Sequence, residues 1–443
     1  MSQNNEGYEM DPYRQHGKGS GNGGVFLGGL AVGMILTMLI VGVIGGILAA
    51  SGVFDRKTDS VSDQQSALEE IRNQSISEYI SSVSSEFVTP EMATKIDGLV
   101  GLIKSEFFLS EVTDEQLEDG LYQGLLNSLG DVYSEYYTKE QFQELMMSSE
   151  GVYYGIGAYV SMDPEYNLPK IAGVFKNSPA EEAGLRNNDI IYMVNGEMTT
   201  GKTLSEVVSG IKGEENTQVT LTIVRDGEQL EKIATRRKVE TPTVESEMLE
   251  DGMGYVRLVE FDDVTTNQFL EAMDELYANG MKGLILDLRG NPGGNLSTVV
   301  QIAQNLLPKG TIVYTEDKKQ NRDTYTSKGN KEIKIPMVVL VDMNSASASE
   351  ILAGAIQDYG KGTLVGTKTF GKGIVQSIIP MRDGSAIKIT VSGYFTPKGR
   401  NIHKVGIEPD IVCEFDSERY YDADNPVDNQ LEKAKEVLKE KMR

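Results

Sequence analysis

The sequence predicts an α/β protein: a mixed core with a β-rich module inserted ahead of it, a helical N-terminal segment and one transmembrane helix. Three observations carry this. The apolar pattern changes period at about Gly151 and again after about Pro242. Beyond Pro242, short apolar strands alternate with helices. Near the start, Gly24 to Phe54 contains no charged residue.

Residues 1–23 are polar and rich in Gly, Ser and Asn, the composition of a disordered tail. Residues 24–54 exceed a signal-peptide core of roughly 7–15 residues and reach the length of about 20 that a spanning helix needs. An uncleaved anchor is the reading, with cleavage near Ala49–Ser51 the weaker alternative. Arg14 and Lys18 before it and Arg56 and Lys57 after it do not orient it. Residues 55–66 form a polar linker. Residues 67–150 form a helical region: Leu68, Ile71, Ile76, Tyr79, Ile80, Val83 and Phe87 keep helical spacing, and Thr113–Gln116 and Thr138–Gln141 have the form of capping boxes.

Residues 151–238 form the β-rich module. Strands are expected at Ile156–Val160, Ile171–Phe175, Ile190–Val194 and Val219–Arg225, with turns at Asn195-Gly196 and Asp226-Gly227. Ser178-Pro-Ala-Glu181 opens a helix. In residues 239–425 the expected strands include Gly254–Phe261, Leu284–Leu288, Met337–Val341, Ile374–Ile379 and Ala386–Val391. Helices are expected at Thr266–Ala278, from the Gly-rich loop to Leu307, and at Ser345–Tyr359. Residues 426–443 hold a last amphipathic helix, Val427–Lys441, whose basic end suits the helix dipole.

Composition excludes several functions. The chain has 443 residues, with 42 Lys and Arg against 66 Asp and Glu, a formal charge of −24. Nucleic acid needs a basic face, so it is not an expected partner, and the acidic excess reads as solvated surface. One Cys, Cys413, rules out an internal disulfide framework and a Cys-based zinc site. No EF-hand spacing occurs, and no metal or cofactor is expected. The two His are His16, in the tail, and His403, read as a loop residue. A hydrolase built on this chain needs another general base.

Four segments could carry chemistry. Asn344-Ser-Ala-Ser-Ala-Ser-Glu350 lies between an apolar strand and a helix start, where a Ser is exposed beside outward-facing N–H groups. Its ordinary alternative is a Ser-rich helix cap. Gly366-Thr-Lys-Thr-Phe-Gly-Lys-Gly373 fits the start of a phosphate-binding loop but ends in Gly, and a strand pattern follows it; both features argue against nucleotide. The remaining readings of Lys372 are a solvated lysine in a Gly-rich turn or a desolvated one able to act as a neutral base. Leu284 to Gly294 is an apolar strand entering a Gly-rich loop whose N–H groups suit an oxyanion, or simply a turn. Tyr154-Gly-Ile-Gly-Ala158 is a Gly-rich loop before a strand, suited to a carboxylate and an extended peptide.

These segments resemble the C-terminal processing peptidases, or tail-specific proteases, of serine peptidase family S41. The resemblance runs from about residue 65 to the end. Six motifs carry it, in order: Gly155-Ile-Gly157, Ser178-Pro-Ala-Glu-Glu-Ala-Gly-Leu185, Asp287-Leu-Arg-Gly-Asn-Pro-Gly-Gly294, Ser345-Ala-Ser-Ala-Ser-Glu350, Phe370-Gly-Lys-Gly-Ile-Val-Gln376, and Thr396–Arg400 with Gly406–Asp410. It implies a ClpP/crotonase-like serine protease core with an inserted PDZ domain. It implies Ser347 as nucleophile, Lys372 as base, Gln376 as the residue orienting the lysine, and the Ala348 and Gly294 N–H groups as oxyanion donors. The PDZ module would hold a substrate's free C-terminus at Gly155, Ile156 and Gly157, with Ile156–Val160 as the pairing edge. The resemblance further implies a catalytic part outside the cytoplasmic membrane, protein substrates and self-association, and leaves room for a regulatory partner protein. Phe370 and Ile374 are the apolar groups expected to bury Lys372, and positions 372 and 376 share a strand face if extended structure begins early enough. Arg186 is either a surface residue or a link between the PDZ module and the core. The competing reading is a non-proteolytic PDZ scaffold or chaperone on a protease-like fold; such a protein should have lost Ser347 or Lys372, and both are present.

Overall fold

The structure, a computed structural model, describes residues 87–422 and 425–443. The tail, the apolar segment 24–54, the linker and most of the helical pattern before Phe87 lie outside the described residues. Among the described residues no helix is long and apolar enough to cross a membrane.

The core is built on two sheets. The first runs Val244–Met248, Met253–Leu258, Gly283–Asp287, Met337–Val341, Thr363–Gly366, Ile411–Val412; its first pair is antiparallel and the rest are parallel. The two central strands, Gly-Leu-Ile-Leu-Asp and Met-Val-Val-Leu-Val, are buried at every position. Such uninterrupted apolar runs are what a parallel sheet covered on both faces requires. Leu286 and Val339 point to the helices Thr265–Ala278, Leu296–Gln304 and Ala348–Asp358. Ile285, Val338 and Leu340 point the other way, onto Ala434 and Leu438 of the last helix, Asn429–Lys441. Each fully buried Leu or Ile contributes about 1.5–3 kcal/mol relative to exposure.

The second sheet is antiparallel: Glu135–Tyr137, Ala386–Phe395, Gly310–Asp317, Arg322–Ser327, with Ile374–Pro380 also on Ala386–Phe395. Three of its strands escape sequence reading. The hairpin at 310–327 is mostly polar and lacks strong alternation. Glu135–Tyr137 lies within the region read as wholly helical, and three residues are too few to show a period. It docks onto the core with Tyr136 opposite Ile387. The helices around it, Asp114–Asn127 and Lys139–Glu150, open on capping boxes at Thr113 and Thr138.

The β-rich module has its own core of Ile171, Ile191, Val207, Leu221 and Ile223. Its sheet runs Ala158–Met162, Pro169–Val174, Ile190–Val194, Gln218–Arg225, Glu228–Thr235, and Glu197–Met198 pairs with Ile190–Val194. The module joins the core through the ribbon Val152–Gly155 paired with Arg237–Glu240. Its edge strand starts at Ala158 rather than Ile156. Ile156 is buried in the module's core, and Gly157 takes φ 77°, which interrupts the extended run.

Arg289 ties the core's layers together. It bonds Asp287 at the end of a central strand (2.6 Å) and Asp428 at the start of the last helix (2.8 Å), while the Tyr255 hydroxyl donates to Asp287 Oδ2 (2.8 Å). Removing one partner of a buried pair leaves the other uncompensated. Arg289→Met is expected to cost about 3 kcal/mol or more, read as a lower denaturant midpoint with an unchanged slope; an unchanged midpoint would remove the pair from the account of stability.

Candidate active site

Adjacent parallel strands deliver two loops to one place. Gly283–Asp287 and Met337–Val341 pair in register, Asp287 beside Leu340. The loop after the first, 288–294, and the loop after the second, 342–347, therefore leave the same edge of the sheet. Asn291, fully buried, joins them: its carbonyl accepts from the Ala346 N–H (3.0 Å) and the Ser349 hydroxyl (3.0 Å), and its side-chain amide donates to the Leu258 carbonyl (2.8 Å).

The three serines of Ser345-Ala-Ser-Ala-Ser349 are thereby separated. Ser345 is buried and donates to the Leu288 carbonyl (2.8 Å). Ser349 is buried against Asn291. Ser347 alone of the three is partly exposed, and it caps the Ala348–Asp358 helix with φ 53°, ψ −112°. A non-Gly residue in that region costs about 1–3 kcal/mol and needs support from its surroundings. The helix expected from Ser345 begins instead at Ala348, because this turn precedes it.

That support comes from Glu350. Its carboxylate is buried and takes four donors: Ser347 N–H (3.0 Å) and Lys372 N–H (2.8 Å) on Oε2, Thr369 hydroxyl (2.6 Å) and Gly371 N–H (2.8 Å) on Oε1. Burial pushes this carboxyl above its usual range against the pull of those bonds. Four donors and no acceptor fit the ionised form. Tyr394, also buried, sets its hydroxyl within reach of the Ser347 carbonyl (3.0 Å) and the Lys372 carbonyl, donating its one proton to either. The backbones of residues 347 and 372 are thus clamped by the same two side chains.

Lys372 is 3% exposed. Burial, then the charge of Lys388, brings its amine down to about 8, against the opposing pull of Asp131 and Glu350. Its Nζ lies 4.6 Å from the centre of the Tyr133 ring. The flanking glycines are steric: a Cβ on Gly373 would lie 2.5 Å from His403 N, and one on Gly371 3.0 Å from Gly406 N. The strand Ile374–Pro380 follows where a phosphate-binding loop would begin a helix.

An open cleft is lined by Ser347, Ala348, Gly294, Gln376 and, on its apolar walls, Leu296 and Ile351. Gly293 packs against Ser347, where a Cβ would come within 2.8 Å of the serine's own. The Gly293 N–H is taken by Asn291 Oδ1 (2.9 Å). Gly294 has φ 142° and is wedged against Phe261, whose carbonyl accepts from Asn295 N–H (2.6 Å).

The sequence pattern described as peptidase family S41 matches residues 252–413, and that of a PDZ domain matches residues 170–225. The chain is 37% identical over 320 residues to the carboxyl-terminal-processing protease of a Synechocystis strain, covering 71% of this chain and 75% of that protein. This chain belongs to peptidase family S41, the carboxyl-terminal-processing proteases. It is a serine-type peptidase. A CtpA-like serine protease of Staphylococcus aureus is 37% identical over 323 residues, 72% of this chain but 64% of that longer protein. Among solved structures, the photosystem II D1 C-terminal processing protease is 30% identical with a TM-score of 0.43, covering 72% of this chain and 88% of that one.

In this S41 peptidase, two sequence expectations need correction. Gln376 does not share a regular strand face with Lys372: the strand starts at Ile374 and bulges between Val375 and Gln376. Its amide donates instead to Thr390 Oγ1 (3.1 Å). Phe370 is 50% exposed and does not bury the lysine; Tyr133, from the N-terminal region, lies against it. Arg186 is exposed, with its backbone N–H on Asp189, and Arg225 is the arginine that pairs with Asp189 (2.6 Å). His403 lies in the loop against Gly373, its pKa lowered by burial and by Lys404. In the PDZ domain, Gly155 ends a ribbon strand, Ile156 is buried and Gly157 makes the turn into Ala158–Met162, an edge strand beside the Leu204–Ile211 helix.

Sequence reading missed Glu350, Tyr394, Asn291, Asp131 and Tyr133 as site residues. In the sequence Glu350 is only the last residue of the Ser345–Glu350 motif, and the others sit far from the serine in sequence. Glu350→Gln puts an amide N–H among N–H donors. It is expected to lower kcat roughly 10- to 100-fold, the loss of one or more bonds to a charged group, with the far-UV spectrum retained. Unchanged kcat would show that the clamp is dispensable.

Proposed function

We propose that this peptidase works by Ser347 and Lys372 and recognises its substrates by their C-termini. The observation that carries the reading is the Glu350 carboxylate, one oxygen of which holds both the Ser347 and the Lys372 backbone N–H. Neutral Lys372 takes the hydroxyl proton as Ser347 Oγ attacks the scissile carbonyl. The oxyanion is met by the N–H groups of Ala348 and Gly294, a contribution typically worth 10²–10³ in rate for each donor. The Lys372 ammonium gives that proton to the departing amine nitrogen as the C–N bond breaks, and water, deprotonated by the neutral lysine, hydrolyses the acyl-enzyme and returns the proton to Ser347 Oγ. Gln376 acts at one remove, through Thr390.

Substrate enters by β-addition: a C-terminal segment lies along the Ala158–Met162 edge, its carboxylate at Gly155–Gly157. Support for this lies in the position of Ala158–Met162 at the end of its sheet and in the turn at Gly157. The uncharged stretch 24–54 supports attachment to the cell membrane by one helix, and the family resemblance, not the flanking charges, supports a catalytic part on the extracytoplasmic side. Exposed Leu99, Leu102, Ile103, Phe107 and Phe108 support self-association.

Ser347→Ala and Lys372→Ala are each expected to lower peptide cleavage by at least about a thousandfold in a folded protein. Digestion of one protein with and without its last few residues tests the recognition step: the truncated form should survive longer. Cleavage that ignores the C-terminus overturns tail recognition, and binding without cleavage by the wild type favours the scaffold reading. The base must be neutral to act, so kcat/KM is expected to rise with pH through about 8. A rise centred near pH 6–7 instead would point to a histidine.

A further inference from the structure

Lys372 is the base only if its ammonium, once formed, has somewhere to be. When Ser347 attacks, the Oγ–H bond breaks and an Nζ–H bond forms. The Oγ electron pair makes the new C–O bond, and the carbonyl π pair moves onto the oxyanion. A positive charge then appears at an amine that is 3% exposed. The groups facing it come from several elements. Glu350 lies on the helix after Ser347 and Lys388 on the strand Ala386–Phe395, while the backbone of His403 packs against the neighbouring Gly373. Asp131 and Tyr133 come from the N-terminal region.

The last pair is built in. The Tyr133 ring lies with its centre 4.6 Å from Nζ. Asp131 Oδ1 accepts the Tyr133 N–H (3.1 Å), and Oδ2 accepts the hydroxyls of Ser134 (2.6 Å) and Thr390 (2.6 Å). Thr390 Oγ1 in turn accepts from Gln376 (3.1 Å). These bonds, with the Lys372 charge, hold the Asp131 carboxyl below its ordinary range in spite of its burial. The segment is fixed by the strand Glu135–Tyr137, and Lys388 is held there by Glu135 (3.2 Å) and by the Tyr137 hydroxyl.

We propose that Asp131 and Tyr133 are positioning residues for the general base: the Tyr133 ring carries the Lys372 ammonium as it forms, and Asp131, linked to Gln376 through Thr390, supplies the countercharge. The cation–π contact and the carboxylate both favour the charged lysine, while Lys388 opposes it. A segment far ahead of the protease core in sequence thus completes its active site. This inference rests on Lys372 as the base, and the test separates the two.

The measurement is the pH dependence of kcat/KM of the full chain on one apolar-tailed peptide. Asp131→Asn and Tyr133→Leu each remove support for the ammonium. Each should move the rising limb to lower pH by roughly half to one unit and lower kcat. Tyr133→Phe keeps the ring and should return the limb to its wild-type position. Lys388→Met removes the opposing charge and should move the limb upward. A limb that stays at its wild-type position in Asp131→Asn and Tyr133→Leu, whatever the fall in rate, overturns the proposal, because a purely structural role lowers rate without moving the limb. If Tyr133→Leu does not fold, the near-isosteric Asp131→Asn decides alone. Turnover retained by Lys372→Ala would remove the base itself; no turnover there, with a fixed limb in the other variants, removes only this inference.

Discussion

One buried carboxylate determines how the chain can be arranged around the cleft. Glu350 cannot stay ionised inside the protein without donors, and the donors that satisfy it come from two chain segments, Ser347 and Thr369–Lys372. Their backbones must therefore meet at it. An isolated ion there would cost several kcal/mol; surrounded by four donors it instead specifies the relation of serine to lysine. Tyr394 adds a second clasp from the other sheet, reaching the carbonyls of the same two residues. The strained serine backbone persists because both its N–H and its carbonyl are held.

The same logic shows how Lys372 could serve as the proposed base in a chain with only two histidines. An amine loses its charge when desolvated, so burial alone moves Lys372 toward the pH where it can accept a proton. Burial alone would also make the product ammonium intolerable. The site therefore combines opposing influences: Lys388 and desolvation favour the amine, while Asp131, Glu350 and the Tyr133 face favour the ammonium. A base has to be poised between two states, and the surroundings are correspondingly mixed.

Much of this was legible beforehand. The central strands announced themselves as unbroken apolar runs, and the capping boxes at Thr113 and Thr138 were readable because cap chemistry is local. The Ser347 and Lys372 motifs were visible as motifs. Two kinds of feature were not. Glu135–Tyr137 and the 310–327 hairpin are too short or too polar to show a period, and sheet partners hold them as strands. The burial of Lys372 was assigned to Phe370, a sequence neighbour, when a tyrosine more than 200 residues earlier lies against it. Likewise, a shared strand face for Lys372 and Gln376 requires extended structure from residue 372, and the strand begins only at Ile374 and bulges before Gln376.

Sequence by itself determined the element types, the order of the modules and the residues with chemical potential, because apolar period, cap residues and glycine placement act within a few residues. It also limited the chemistry to a chain with two histidines and one thiol. Only the tertiary structure decided which of three serines stays partly exposed, which groups surround the amine and which glycine lies beside Ser347. Those outcomes depend on contacts between segments distant in sequence. Ser345 and Ser349 carry the same hydroxyl as Ser347, and what separates them is that Leu288 and Asn291, from another loop, claim the first two and leave the third facing the cleft.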